Sequence, residues 1–172
     1  MDIDAIWIGR DLGHRGGRRT GLALTDDLRF SDHLQRWEVE IERPTSGPLV
    51  PERTASVVWE MLAQISEVVF LWNIFPLHPF PAGNTFGNRA HNAVERKAGE
   101  GLLRLLLALL NPRRVVAIGN DAAKVLDTVS ADIEVSAVRH PSYGGETVFR
   151  EQVAALYGLT LNPNDAKPTS PQ

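Results

Sequence analysis

Cysteine is absent from the 172-residue chain. That excludes disulfides, iron–sulfur clusters held by thiolates, zinc–cysteine sites and a cysteine nucleophile, and it makes a reducing, cytoplasmic location the expectation. Long hydrophobic runs are absent as well. Residues 68–72 and 102–110 are the longest candidates, and Arg104 interrupts the second, so neither approaches the roughly 20 residues a bilayer-spanning helix needs. The opening Met1-Asp2-Ile3-Asp4 is acidic and lacks the basic start of a secretory leader. Excess positive charge is missing: 18 lysines and arginines face 21 acidic residues, a net charge of −3, which excludes a uniformly basic nucleic-acid coat but leaves room for a local basic patch. What is present is 43% hydrophobic and 23% charged, the balance of a globular chain with a real core. The expectation is one domain over residues 1–160, followed by a Pro/Asn/Ser-rich tail over 161–172, working as a monomer without a membrane.

Short apolar runs at 5–9, 68–72, 114–118 and 133–138 read as buried strands. Helical spacing of apolar residues appears at 52–65, 93–110, 121–129 and 146–157. Residues 25–51 are polar and turn-rich. Strand and helix alternate four times, which predicts an α/β fold: a three-layer αβα sandwich with a central, mostly parallel four-stranded sheet. In such sheets ligands bind beyond the carboxyl ends of the strands. Three of these ends open into unusual polar loops, at 9–20, 73–92 and 140–145, and the expectation is that they converge on one crevice.

The loops carry the residues with chemical potential. Asp11 follows the first strand inside a loop holding Arg10, Arg15, Arg18 and Arg19. A carboxylate there can orient a water or oppose a developing cation; the competing reading is an arginine-paired turn residue. Asn73 ends the second strand, and its amide offers one donor side and one acceptor side. That matches a pyrimidine edge, or caps a loop. His140-Pro141-Ser142 follows the fourth strand, where a histidine can donate to an oxygen gaining negative charge and a serine can hold a phosphate. The alternative is a turn into a helix. Arg15, Arg18 and Arg19 are candidates for phosphate contact, or a solvated basic loop. The loop is neither a dinucleotide fingerprint nor a P-loop, since the third glycine of one and the Gly-Lys-Ser/Thr of the other are missing. His91 and Glu95 read as a helix-surface pair rather than metal ligands, His14 and His33 as exposed loop histidines, and His78 has no evident partner. No cofactor and no metal are expected.

Taken in order, these loops resemble the uracil-DNA glycosylase superfamily. Gly9-Arg10-Asp11-Leu12-Gly13-His14 is similar to the family's Gly-Gln-Asp-Pro-Tyr-His step; Arg19-Thr20-Gly21-Leu22-Ala23-Leu24 to its Thr-Gly step; Leu71-Trp72-Asn73 to its uracil-reading asparagine; and Arg139-His140-Pro141-Ser142 to its His-Pro-Ser motif. The resemblance spans residues 5–158. It implies uracil-containing DNA as partner and abasic DNA as product, with a flipped-out base as the reacting group. It implies roles by position: Asp11 orients the water or stabilises the sugar cation, His140 stabilises the leaving base, and Asn73 pairs with uracil. Gly9, Arg10, Leu24 and His14 would complete the base pocket, while Ser142, Tyr143, Arg15, Arg18 and Arg19 would hold DNA. Leu24 stands where the family stacks an aromatic ring, leaving Phe30 or Phe75 to supply one. Gly13 replaces a tyrosine that excludes thymine, and either Tyr143 or the Arg-rich region 84–104 would wedge the duplex. Two other readings stay open: a module that grips abasic or damaged DNA with slow turnover, and a hydrolase of free nucleosides.

Overall fold

The computed structural model of the protein describes residues 2–129 and 133–161. The chain forms β1 (Ala5–Asp11), α1 (Gly17–Thr20), α2 (Phe30–Trp37), α3 (Arg53–Leu62), β2 (Val69–Phe75), α4 (Ala93–Leu110), β3 (Arg114–Ile118), α5 (Asn120–Val129), β4 (Glu134–Val138) and α6 (Glu146–Tyr157). The strands make one four-stranded sheet in the order β2-β1-β3-β4, with every neighbouring pair parallel.

Alternation along the strands decides what lies on each face. Ala5, Trp7, Val69, Leu71, Val116 and Ile118 pack with α3 and α6 residues such as Val58, Leu62, Phe149 and Val153. Ile6, Ile8, Ile74, Val115 and Ala117 turn the other way, onto Leu103 and Leu107 of α4 and Leu126 of α5. Both faces are covered, so the expected αβα layering holds. The two central strands, β1 and β3, are therefore almost wholly apolar up to their carboxyl ends.

Strand limits differ from the sequence reading. β1 runs on to Asp11 and β2 to Phe75, so Asn73 sits inside its strand. The cause is pairing: Gly9 lies opposite Asn73 and Asp11 opposite Phe75, and a neighbouring ladder extends a strand past the residues whose apolarity announces it. Residues 25–51, read as turns, contain α2. This helix buries Phe30 and sets its His33 ring 6.0 Å from Trp59, at 66°, beneath an otherwise polar surface. His33 is thus a half-buried helix residue, not an exposed loop one. Leu161, expected to begin the tail, packs against the α3–α6 core, as do Leu156 and Leu159; residues 162–172, the rest of that tail, lie outside the described residues. Among the described residues, no helix is long and apolar enough to cross a membrane.

Candidate active site

The sheet order places β2 and β3 on either side of β1, so the chain switches direction across the sheet at β1. Crevices form at such points, beyond the strand ends. A cavity of about 490 Å³ lies there, lined by Asp11, Leu24, Glu52, Asn73, Asp121 and His140 among others. The loops predicted to converge do so. The end of β3, which the sequence reading passed over, joins them with Gly119, Asn120 and Asp121.

Asn73 is 1% exposed, yet neither its Nδ2 nor its Oδ1 finds a partner among the described residues. Leaving a buried amide unpaired costs about 1–3 kcal/mol, so this is a group held ready for a ligand. Gly9 makes its position possible. A Cβ on Gly9 would stand 2.5 Å from Asn73 Oδ1 and 3.2 Å from Leu24 Cδ2. Leu24 lines the cavity in the left-handed conformation, φ 53°. Neither ring offered in its place reaches the cavity: Phe30 is buried in the core, and Phe75 is not among the lining residues. The pocket face is aliphatic.

His140 is half-buried at the end of β4. Its Nδ1 accepts the backbone N–H of Ser142 at 3.1 Å, and the Ser142 hydroxyl lies 2.7 Å away. A backbone N–H can only donate, so Nδ1 carries no proton and the neutral ring keeps its hydrogen on Nε2. Burial first, then the charges of Arg10 and Arg139, lower the His140 pKa to about 4 against the opposing pull of Asp121. The ring is a neutral donor across the physiological range. Ser142, expected on DNA backbone, is instead committed to His140. Tyr143 follows at φ 52° with 97% of its surface exposed, at the cavity rim.

Asp11 has two partners. Arg10 Nε donates to its Oδ2 at 2.8 Å, and Arg10 Nη1 reaches on to Asp121 Oδ2 at 3.0 Å. His91 Nδ1 meets Asp11 Oδ1. Arg10, expected against the base, thus ties the end of β1 to the start of α5. His91 was read as a helix-surface partner of Glu95. Glu95 instead takes Asn92 N–H in a capping box and Arg89 in a two-pronged ion pair, which frees His91 to fold back on Asp11.

The basic loop is mostly consumed internally. Arg19 Nε bonds Asp27 Oδ2 at 2.7 Å, where Arg43 and the Val50 N–H also converge. Burial works to raise the Asp27 pKa, but these donors outweigh it and hold it below the usual carboxylate range. Arg19 is therefore a structural anchor, with Nε on Asp27 and Nη2 on Thr45. Arg18 lies over the Phe86 ring at 4.7 Å, while Arg15 is exposed. His14 does not line the cavity, and its backbone N–H binds Asn88; His78 bonds the Leu12 carbonyl at 2.8 Å. Gly13 and Gly16 leave room for the Glu52 carboxyl, whose oxygens would lie 2.6 Å and 1.9 Å from a Cβ at those positions. Burial first, then Asp26, raises the Glu52 pKa against the pull of Arg15.

Three residues were overlooked as site groups: His91, Glu52 and Asp121. Asp121 had a signal, a polar step directly after a buried strand. Glu52 and His91 reach the site only through tertiary folding. Among the described residues no group of three or more His, Cys, Asp or Glu could hold a metal ion.

Comparison with known proteins fits this geometry. The family model described as the uracil DNA glycosylase superfamily matches residues 2–154. The crystal structure of wild-type SMUG2 from Pedobacter heparinus has a similar fold, with a TM-score of 0.67 at 18% identity, over 91% of this chain and 76% of that one. Among curated proteins the search found no match.

Proposed function

The chain belongs to the uracil DNA glycosylase superfamily and so to the DNA glycosylases; from that premise we propose that it hydrolyses the N-glycosidic bond of uracil flipped out of DNA, leaving an abasic site for base excision repair. The observation that carries this reading is the buried, unpartnered Asn73 amide, which shares one cavity with His140 and Asp11. Its Oδ1 and Nδ2 complement the N–H and the adjacent carbonyl of uracil. When the bond to the sugar breaks, both electrons leave with the base. The neutral His140 donates from Nε2 to the carbonyl oxygen that gains charge, without first having to lose a proton. The sugar becomes cationic beside the Asp11 carboxylate. Water then adds to the anomeric carbon, and its proton passes through the Asp11 carboxylate to the departed base anion, so that neutral uracil and the abasic sugar are released.

Among the described residues arginines line the cavity but no lysine does, which supports a monofunctional hydrolase. We take the protein to act as a cytoplasmic monomer. The test is uracil release from single- and double-stranded oligonucleotides. Wild type should release base, and Asp11→Asn should lose most of that activity with little loss of stability. Absence of release from either substrate would overturn the reading. The aliphatic Leu24 in place of a stacking ring favours a second outcome, tight product binding with slow turnover. A fast first turnover followed by a slow steady state would identify it.

A further inference from the structure

His91 lies 80 residues from Asp11 in sequence, and the structure over-determines their contact. The side chains are 9% and 6% exposed. The imidazole packs edge-on against Phe75, 6.3 Å between centroids at 61°, and Phe75 is the residue paired with Asp11 across the β1–β2 ladder. On the C-terminal side, the Asn92–Glu95 capping box pins the start of α4. On the N-terminal side, Arg89 donates to the Phe80 and Ala90 carbonyls as well as to Glu95. The loop that carries His91 is stapled at both flanks, and the histidine ends on one carboxylate oxygen.

We propose that His91 is a positioning residue for the reaction, fixing the Asp11 carboxylate through Oδ1 while Arg10 fixes it through Oδ2. The inference rests on the assignment of Asp11 as the group facing the sugar. An aspartate side chain turns easily about its last torsion. Held by Arg10 alone, the carboxylate would be free to swing towards the Arg10–Asp121 pair. Donors on both oxygens stop that rotation and leave one lone pair on each oxygen for water or for the sugar cation. The chemistry of the second donor matters. A second guanidinium would add a permanent positive charge and weaken the field the cation needs, whereas an imidazole can donate N–H without carrying one. Arg10 divides its single charge between two carboxylates, so the cluster keeps negative character where positive charge develops.

Two measurements test this. In single-turnover base release, His91→Ala should lower the chemical rate by about 10²-fold, the cost of misplacing a reacting group by about an ångström, with DNA affinity unchanged. His91→Asn, whose side-chain amide can stand in for Nδ1–H, should recover most of that loss. Equal loss in both variants, or a change of less than about threefold in His91→Ala, overturns the proposal. Independently of activity, imidazole ¹⁵N spectra of the wild type should show His91 with its proton on Nδ1, and Asp11→Ala should abolish that preference. An Nε2–H form in wild type, or no response to Asp11→Ala, overturns the proposal even if base release is robust. A wild type that releases no base would sink the functional reading, and the spectra would still decide whether His91 fixes Asp11.

Discussion

The two walls of the cavity are built on opposite terms. On one, Asn73 keeps both polar atoms unpaired among the described residues, and His140, accepting at Nδ1, carries its proton on Nε2. On the other, Asp11 is engaged on both oxygens, and Arg10 continues the chain of ion pairs to Asp121. In the proposed reaction the open wall would recognise the base, because a group without a protein partner gains most from a ligand. The closed wall would supply a field, because a charge already oriented need not reorganise as the reaction proceeds.

The sharpest way to break this contrast is to attack the open wall. His140→Ala should reduce single-turnover base release by about 10²–10³-fold, with the fold intact by circular dichroism. The proposed mechanism uses the neutral form of His140, and its pKa is lowered from 6.5 to about 4. The wild-type rate should therefore show no loss near pH 6.5 attributable to this ring. Stability follows the same shift: the unfolded chain protonates His140 first, so this contribution is present above about 6.5 and lost as pH falls through about 4.

Gly9→Ala comes next, since its methyl group would collide with the Asn73 amide. A rate loss of about tenfold or more is expected, with a stability cost of about 1–3 kcal/mol in thermal melts. Asn73→Ala should separate the two readouts, abolishing base recognition while the melting temperature holds or rises.

Arginines of the basic loop sharpen the contrast between charge spent inside the fold and charge left for DNA. Arg19→Ala should cost about 1–3 kcal/mol of stability by leaving buried Asp27 short of a donor, without altering the salt dependence of DNA binding. Arg15→Ala should do the reverse, reducing the slope of log affinity against log salt by about 1 in binding titrations.

The smallest effect concerns Glu52. Its pKa is raised, so its favourable contribution is complete below its ordinary value and is lost as pH rises through the folded-state value. Glu52→Gln should raise the melting temperature by about 2–4 °C at pH 8 and leave it unchanged at pH 4.

The strands and most helices could be read from the chain because their signals are local. β3 at Arg114–Ile118, α4 at Ala93–Leu110 and α6 at Glu146–Tyr157 fall where apolar spacing placed them. α2 escaped because only its inner edge is apolar. Asp11, Asn73 and His140 stood out because each is a polar residue at or just after the end of a short apolar run. Whether a side chain there would be open or engaged was not readable. Arg19 and Arg15 look alike in sequence, but only Arg19 has Asp27 within reach.

Sequence alone determined that this is an α/β chain whose polar groups gather at the carboxyl ends of a parallel sheet, because hydrophobic period and glycine placement act over a few residues. Tertiary structure alone decided the partners: His91 on Asp11, Ser142 on His140, Arg19 on Asp27, and nothing on Asn73. A hydrogen bond depends on distances of a few tenths of an ångström between segments that can lie 80 or more residues apart, and no local pattern encodes that.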